Sequence, residues 1–331
     1  MATLGTSRLH PFFSLLLLVS CAFGGETEPP AQLELRMSPG QVLRYDWTLE
    51  SASNSKGQEK GKPLDLHVDK SIRVAVVLTG EKPPRGEDVL SALLRFEGFR
   101  LQENRRVGDA ASSTLQVDRQ NIMFTENGRV RVDSRNDIGM EKISAHQKAL
   151  RFLERNVARI VLDRSSRQTR VEGDRFLLDT AHGGSSRGLF PELSGKKSAV
   201  GESWTGRFEI PRLAEVELDR AAIVNTRATF AKWHDHEGRK VAMIDVLSSW
   251  DGNDLRGKDT AGLTVTLTGV DGHGAGVYLF DPKVGRFVSG TMTFQLKYHL
   301  EGEREGEKTA LDVNGRSRFN FTLLPDKPKG K

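Results

Sequence analysis

From Leu43 to Glu50 apolar and polar residues alternate without interruption: Leu43, Tyr45, Trp47 and Leu49 on one side, Arg44, Asp46, Thr48 and Glu50 on the other. Alternation at period two places one set on a buried face and the other in water, the signature of a half-buried strand. Ile72, Val74, Val76 and Leu78 repeat it, as do Ala92, Leu94 and Phe96. Gly98 then shifts the phase toward Phe99 and Leu101, as a β-bulge would. Later, Leu263, Val265 and Leu267 face threonines, and Met292, Phe294, Leu296, Tyr298 and Leu300 face Thr293, Gln295, Lys297 and His299. Phe319, Phe321 and Leu323 close the series.

Turn signals separate the runs: Glu126-Asn127-Gly128, Asp251-Gly252 and Asp281-Pro282-Lys283-Val284-Gly285. One buried and one polar face on strands joined by tight turns is the habit of antiparallel sheets. The expected fold is mainly β: long antiparallel strands in curved sheets, as a sandwich or as partly open barrel-like lobes, with one short helix. That helix is expected between Gly139 and Arg155, where Ile143, Leu150 and Leu153 have helical spacing, and it is expected to cap or plug one open end of a curved sheet. A strand should follow at Val157 to Leu162, turn at Ser165-Ser166 and return through Val171.

The body is expected to span residues 33–324, with two lobes, 33–175 and 198–324, joined by a Gly- and Ser-rich region. "SPGQVLRYDW" from Ser38 and "AVGESWTGRF" from Ala199 each set a glycine before a polar-aromatic strand, which raises the idea of a duplication.

The N-terminus changes the picture from fold to location. Arg8 is followed by an apolar run from Phe12 to Val19, too short for a permanent membrane helix, so residues 1–20 read as an export signal. Leu18-Val19-Ser20-Cys21 matches a bacterial lipobox, and Cys21 is the single cysteine of 331 residues. An exported protein has little use for an unpaired thiol, so the expectation is lipidation at Cys21, with plain cleavage after Gly24 as the competing reading. Several acyl chains give a stable anchor where one is marginal. Residues 21–32, with Pro29 and Pro30, then read as a tether, and residues 325–331 as a basic tail. The expected place is the cell envelope, as an outer-membrane-anchored lipoprotein facing the periplasm, or otherwise the periplasm or the medium. A net charge of +5 on interspersed acids and bases suits attraction to anionic surfaces or polymers. With export and no basic-aromatic motif, no nucleic-acid partner is expected.

Two stretches, "LFPELSGKKSAVGESW" from Leu189 to Trp204 and "GVYLFDPKVGRFVSGTM" from Gly276 to Met292, resemble a family of exported bacterial proteins of unassigned function. The resemblance spans roughly residues 38 to 300 and implies export and a β-rich body. Its markers are turn and strand residues, and it implies no activity.

Candidate chemistry is sparse. Gly184-Ser185-Ser186-Arg187-Gly188 has the G-x-S-x-G pattern with His182 nearby, but Pro191 and Gly195 interrupt the helix that a nucleophile elbow requires. Gly252 to Lys258 resembles a phosphate loop, yet Asp259 stands where a hydroxyl would bind magnesium. His234 and His236 present two imidazoles on one strand face at a hairpin tip, without a third ligand recognisable from spacing. Asp271-Gly272-His273-Gly274 reads first as a glycine turn. Trp47 and Trp250 lie in alternating runs and read as core, while Trp204 and Trp233, with His234 and His236, are the candidate ligand contacts. No catalytic residue, metal set or cofactor is assigned. The expectation is a ligand- or partner-binding β module taking an apolar or polymeric envelope ligand, and the alternatives are a secreted hydrolase using Ser186 and a structural spacer.

Overall fold

The computed structural model describes residues 28–325, except 60, 109–110, 143–154, 156, 174–189, 214–215, 252–253, 259–261 and 305. The signal, Cys21, the Ser186 motif, the basic tail beyond Pro325 and most of the expected helix lie outside the described residues. Of that helix the described part is a single 3-10 turn, Met140–Lys142.

The chain is an antiparallel β protein. Its first part forms β1 (Ala31–Gln32), β2 (Val42–Glu59), β3 (Lys62–Glu81), β4 (Leu90–Val107), β5 (Ala111–Asp118), β6 (Ile122–Glu126), β7 (Arg129–Asp133), β8 (Val157–Leu162) and β9 (Gln168–Gly173). The rest forms β10 (Lys197–Ser198), β11 (Ser203–Leu213), β12 (Val216–His236), β13 (Arg239–Asp251), β14 (Leu255–Lys258), β15 (Thr264–Asp281), β16 (Arg286–Arg304) and β17 (Glu307–Leu323). Strands of 18 residues, such as β2 and β4, run about 60 Å at 3.3 Å per residue.

A 15-stranded sheet has the order β11-β12-β13-β15-β16-β17-β2-β3-β4-β5-β6-β7, with β14 bridging β12 and β15, and β8 and β9 continuing from β4. It is largely a meander, apart from the β13–β15, β12–β14 and β4–β8 pairings and one seam, where the last strand pairs with the first long one, Leu323 opposite Tyr45 through to Ala310 opposite Gln58. Residues 33–175 and 198–324 therefore share one sheet. They also share the larger core: Phe230 and Ile244 from one side of the seam cluster with Leu94 and Ile160 from the other. Residues so far apart in strand order can meet only if the sheet curls, with that face on its inside.

The local signals map onto this sheet. Arg73 faces Arg100 while Ala75 faces Glu97, so Val74 stands opposite both Gly98 and Phe99. Gly98 takes φ 63°, the left-handed region that a bulge glycine supplies without steric cost. The hairpin at Asn127-Gly128 has positive φ at both residues, and so does that at Glu237-Gly238, as two-residue turns of matching twist require. At the β15–β16 turn the Gly285 N–H donates to the Asp281 carbonyl at 2.8 Å. The two starts at Ser38 and Ala199 fold alike. Gln41 N–H donates to the Ser38 carbonyl and Glu202 N–H to the Ala199 carbonyl, both at 3.0 Å. In each, the side chain of the fourth residue accepts from the N–H of the first, at 2.9 and 3.1 Å, and the third residue is a glycine at φ 79° or 87°.

One expectation needs correction. Asp271 to Gly274 is the middle of β15 and not a turn. Gly272, Gly274 and Gly276 share one face there, and a Cβ on them would meet Trp250, Ser248 and Met292 respectively within 3.0 Å. They are bare so that larger neighbours can lie across them. The expected plugging helix lies mostly outside the described residues; among those described, irregular chain fills one end of the curled sheet, Leu33 and Leu35 from one segment and Phe190 and Leu193 from another, all buried in the main core. Backbone bonds knit the two segments together, Leu33 N–H to Lys196 O at 3.0 Å and Gly195 N–H to Leu33 O at 3.1 Å, beside the β1–β10 pair.

Candidate functional site

The inner face has two zones. At the plugged end it is aromatic: Tyr45, Trp47, Phe280, Phe287 and Phe321 are buried around Phe190, whose ring lies 5.0 Å from Tyr45 and Phe287 and 5.5 Å from Phe321. This is where the two stretches carrying the family resemblance meet. Burial pushes the Tyr45 and Tyr278 phenols well above their usual range.

Beyond the row Phe319-Leu49-Ile72-Leu101 the strands carry the same face onward past the core, and register fixes its next rows. A polar row Ser317-Ser51-Lys70-Glu103 comes first, then Leu296-Gly315-Ser53-Val68 and Tyr298-Val313-Ser55-Leu66. The last is Leu300-Leu311-Gly57-Leu64. The result is a trough with a floor of Ser53, Ser55 and Gly57 on β2 and Gly315, Val313 and Leu311 on β17, and walls of Leu296, Tyr298 and Leu300 on one side and Leu64, Leu66 and Val68 on the other. All six wall residues are only half-buried. The Tyr298 phenol is pushed up to about 12 by burial. A second apolar cluster, Leu213, Val216, Leu218, Ala222, Leu255, Val265 and Leu267, backs it. On the same inner face the Ser248 hydroxyl and the Trp250 indole N–H are buried without a hydrogen-bond partner.

The outer face of the same strands is charged. Crossing β16, β17, β2, β3 and β4, its rows read Thr293-Arg318-Glu50-Ser71-Gln102, Gln295-Arg316-Ala52-Asp69-Asn104 and Lys297-Asn314-Asn54-His67-Arg106. His67 sits between Asn54 at 2.5 Å and Asp69 at 2.9 Å, and His299 between Asp312 at 2.7 Å and Glu301 at 3.1 Å. The bond to Asp312 leads in raising the His299 pKa above its ordinary value.

The residues singled out from sequence are not brought together into one site. Trp204 is half-buried and its indole N–H donates to the Glu192 carbonyl at 2.8 Å; the Trp233 indole donates to Pro29 O at 3.0 Å. Each indole thus ties an edge of the sheet to one of the irregular segments. Trp47 is core, and Trp250 packs half-buried on the second cluster. His234 is exposed and His236 half-buried near the β12–β13 tip. Among the described residues no three His, Cys, Asp or Glu side chains are grouped to hold a metal ion.

Sequence reasoning missed Glu192. Its carboxylate lies over Gly206, where a Cβ would come within 2.7 Å of it, and 3.4 Å from the Arg167 guanidinium. Burial raises its pKa, with Arg167 opposing.

These features define the class of molecule: a mainly β protein of long antiparallel strands curled about an apolar interior, with a charged exterior on the strands flanking the seam. No family model matches the chain, and no curated protein matches it. Among solved structures it is similar to the translocator domain of the autotransporter NalP from Neisseria meningitidis, at 6% identity over 88% of this chain and 91% of that one, TM-score 0.23. Another similar structure is an outer membrane channel from Pseudomonas putida, at 8% identity over 89% and 99%, TM-score 0.22.

Proposed function

We propose that the protein is an exported envelope module, held to the membrane through a lipid on Cys21, that binds an apolar chain in the trough on its inner face. The observation that carries this reading is the half-exposed wall of Leu296, Tyr298, Leu300, Leu64, Leu66 and Val68, which shares a face with the aromatic core yet extends past it. The small residues Ser53, Ser55, Gly57 and Gly315 along the floor, with Val313 and Leu311 beside them, suit a long, thin apolar ligand, and an acyl chain has that shape. Binding sites of this kind are mostly apolar, with a few polar groups that fix orientation. Lys70, Ser51 and Ser317 supply such groups at the inner end of the trough. The charged outer rows support a water-facing exterior, since a lipid-facing barrel carries an apolar band about 25 Å tall.

Native mass spectrometry of the delipidated mature chain with palmitate tests the reading. One-to-one binding is expected, reduced at least tenfold by Leu66→Asp and by Val313→Asp; absence of binding, or indifference to both substitutions, overturns it. The anchor is tested separately, by the intact mass of the protein from the membrane fraction. A diacylglycerol-modified N-terminal cysteine, lost in Cys21→Ser, is expected, and an unmodified chain starting near Gly25 removes the anchor.

A further inference from the structure

We propose that the outer face carries a second, independent site: a groove across β17, β2, β3 and β4 that binds an acidic oligosaccharide. The groove encloses about 550 Å³ and is lined by Glu50, Ala52, Asp69, Ser71, Gln102, Asn104, Arg316 and Arg318, with Ser51 and Lys70 between them. Its volume falls within the range of about 300–1,000 Å³ of small-ligand sites.

The shape follows from register. Arg316 and Arg318 are two residues apart on β17 and so project from the same face, about 7 Å apart. Gln102 and Asn104 do the same on β4, three strand spacings or about 14 Å away. Between these walls the floor strands carry the small residues Ala52 and Ser71 on one diagonal and the carboxylates of Glu50 and Asp69 on the other. The low positions at Ala52 and Ser71 leave the space between the walls, with the two carboxylates beside it.

The chemistry selects the ligand. Neither Arg316 nor Arg318 forms an ion pair among the described residues. Both are exposed, and a guanidinium presents a planar fork that takes a carboxylate or a phosphate with two parallel hydrogen bonds. Two forks about 7 Å apart suit a ligand bearing acidic groups along its length. The opposite wall offers amides, which donate and accept, and Ser71 adds a hydroxyl. Glu50 and Asp69 accept only; they match sugar hydroxyls and disfavour a bare polyanion. On this face two guanidiniums stand against two carboxylates, the Lys70 side chain belonging to the inner face, and with no aromatic the lining has no platform for stacking a base or an apolar ring. A chain that is hydroxylated throughout and acidic at intervals satisfies every group in the groove.

Isothermal titration of the mature chain with trigalacturonate, maltotriose and inorganic phosphate, each alone, tests the site. Trigalacturonate is expected to bind at least tenfold more tightly than either of the others, and to weaken as salt rises. The Arg316→Ala/Arg318→Ala double variant and, on the other wall, Gln102→Ala/Asn104→Ala are each expected to lose at least tenfold in affinity. All four side chains point into the groove, so both variants should melt as the parent does. Phosphate binding as tightly as the trisaccharide would reduce the groove to a simple anion site and overturn the proposal. So would maltotriose matching trigalacturonate, absence of trigalacturonate binding, or equal binding by the parent and both variants.

Discussion

The ring of Phe190 stacks on that of Phe287, centroids 5.0 Å apart and planes 15° from parallel. Ninety-seven residues separate them in sequence, and the contact closes the aromatic end of the curled sheet. Phe190 arrives on irregular chain that is pinned just after it, the Pro191 carbonyl accepting from the Ser166 hydroxyl at 2.6 Å and the Leu193 N–H donating to the Ser165 carbonyl at 2.8 Å. Phe190→Ala is expected to cost about 3–5 kcal/mol, the usual range for emptying a buried phenylalanine site. Urea denaturation, with the midpoint falling and the slope unchanged, is the check.

Two kinds of glycine should respond differently to substitution. A Cβ on Gly290 would lie 2.3 Å from the Tyr278 ring and 2.6 Å from Phe321, both in the packed core. Gly290→Val is therefore expected to destabilise by about 1–3 kcal/mol or more through overpacking. At Gly40 and Gly201 a Cβ meets nothing within 4 Å, and only the positive φ resists. Gly40→Ala and Gly201→Ala should each cost about 1–2 kcal/mol, and the two costs should be alike because the turns are. Thermal melts of the three variants test the ordering.

Glu192 predicts a pH effect of definite sign. Burial raises its carboxyl pKa in the folded state, so between the unfolded value, about 4.3, and the raised folded value the native state holds more proton than the unfolded one. Stability must then fall as pH rises through that window, and the penalty is complete above it. Glu192→Gln should remove this slope, gaining most relative to the parent at neutral pH and least near pH 4. Equal differences at both pH values, measured by urea melts, would contradict the assignment.

His299 works the other way round in charge but with the same slope. Its pKa is raised, chiefly by the hydrogen bond to Asp312 and then by Glu301, so the stabilisation is fully present below about pH 6.5 and fades as pH climbs through the folded value. The imidazole is partly exposed, so the effect is small and screened by salt. His299→Gln should flatten it, and an NMR titration of the ring should show the raised value in the parent.

Much of the fold is legible in the sequence because its signals are local. Val157 to Leu162 reads as a strand and is one, and the return through Val171 follows a turn in which Ser166 takes φ 67°. Gly98 announces its bulge by breaking the alternation at Phe99. Glycine spacing misleads at Gly272 and Gly274, because a bare position in a turn and a bare position beneath Trp250 look the same in one dimension. In the plug, Leu33 and Leu35 alternate with Glu34 and Arg36 as a strand would although most of that segment is irregular, while Phe190 and Leu193 carry no such alternation, so nothing local marks them as core.

Alternation at period two, set by strand geometry, determined by itself that the chain forms long antiparallel strands, and turn residues determined where they fold back. Only the tertiary structure decided that β17 pairs with β2, that the sheet curls so that Phe230 and Leu94 share a core, and that Arg316 and Arg318 face Gln102 and Asn104 across a groove. The reason is one of range. Side-chain direction along a strand is fixed by neighbours two residues away, whereas strand partners and sheet curvature depend on burying apolar surface contributed from far along the chain.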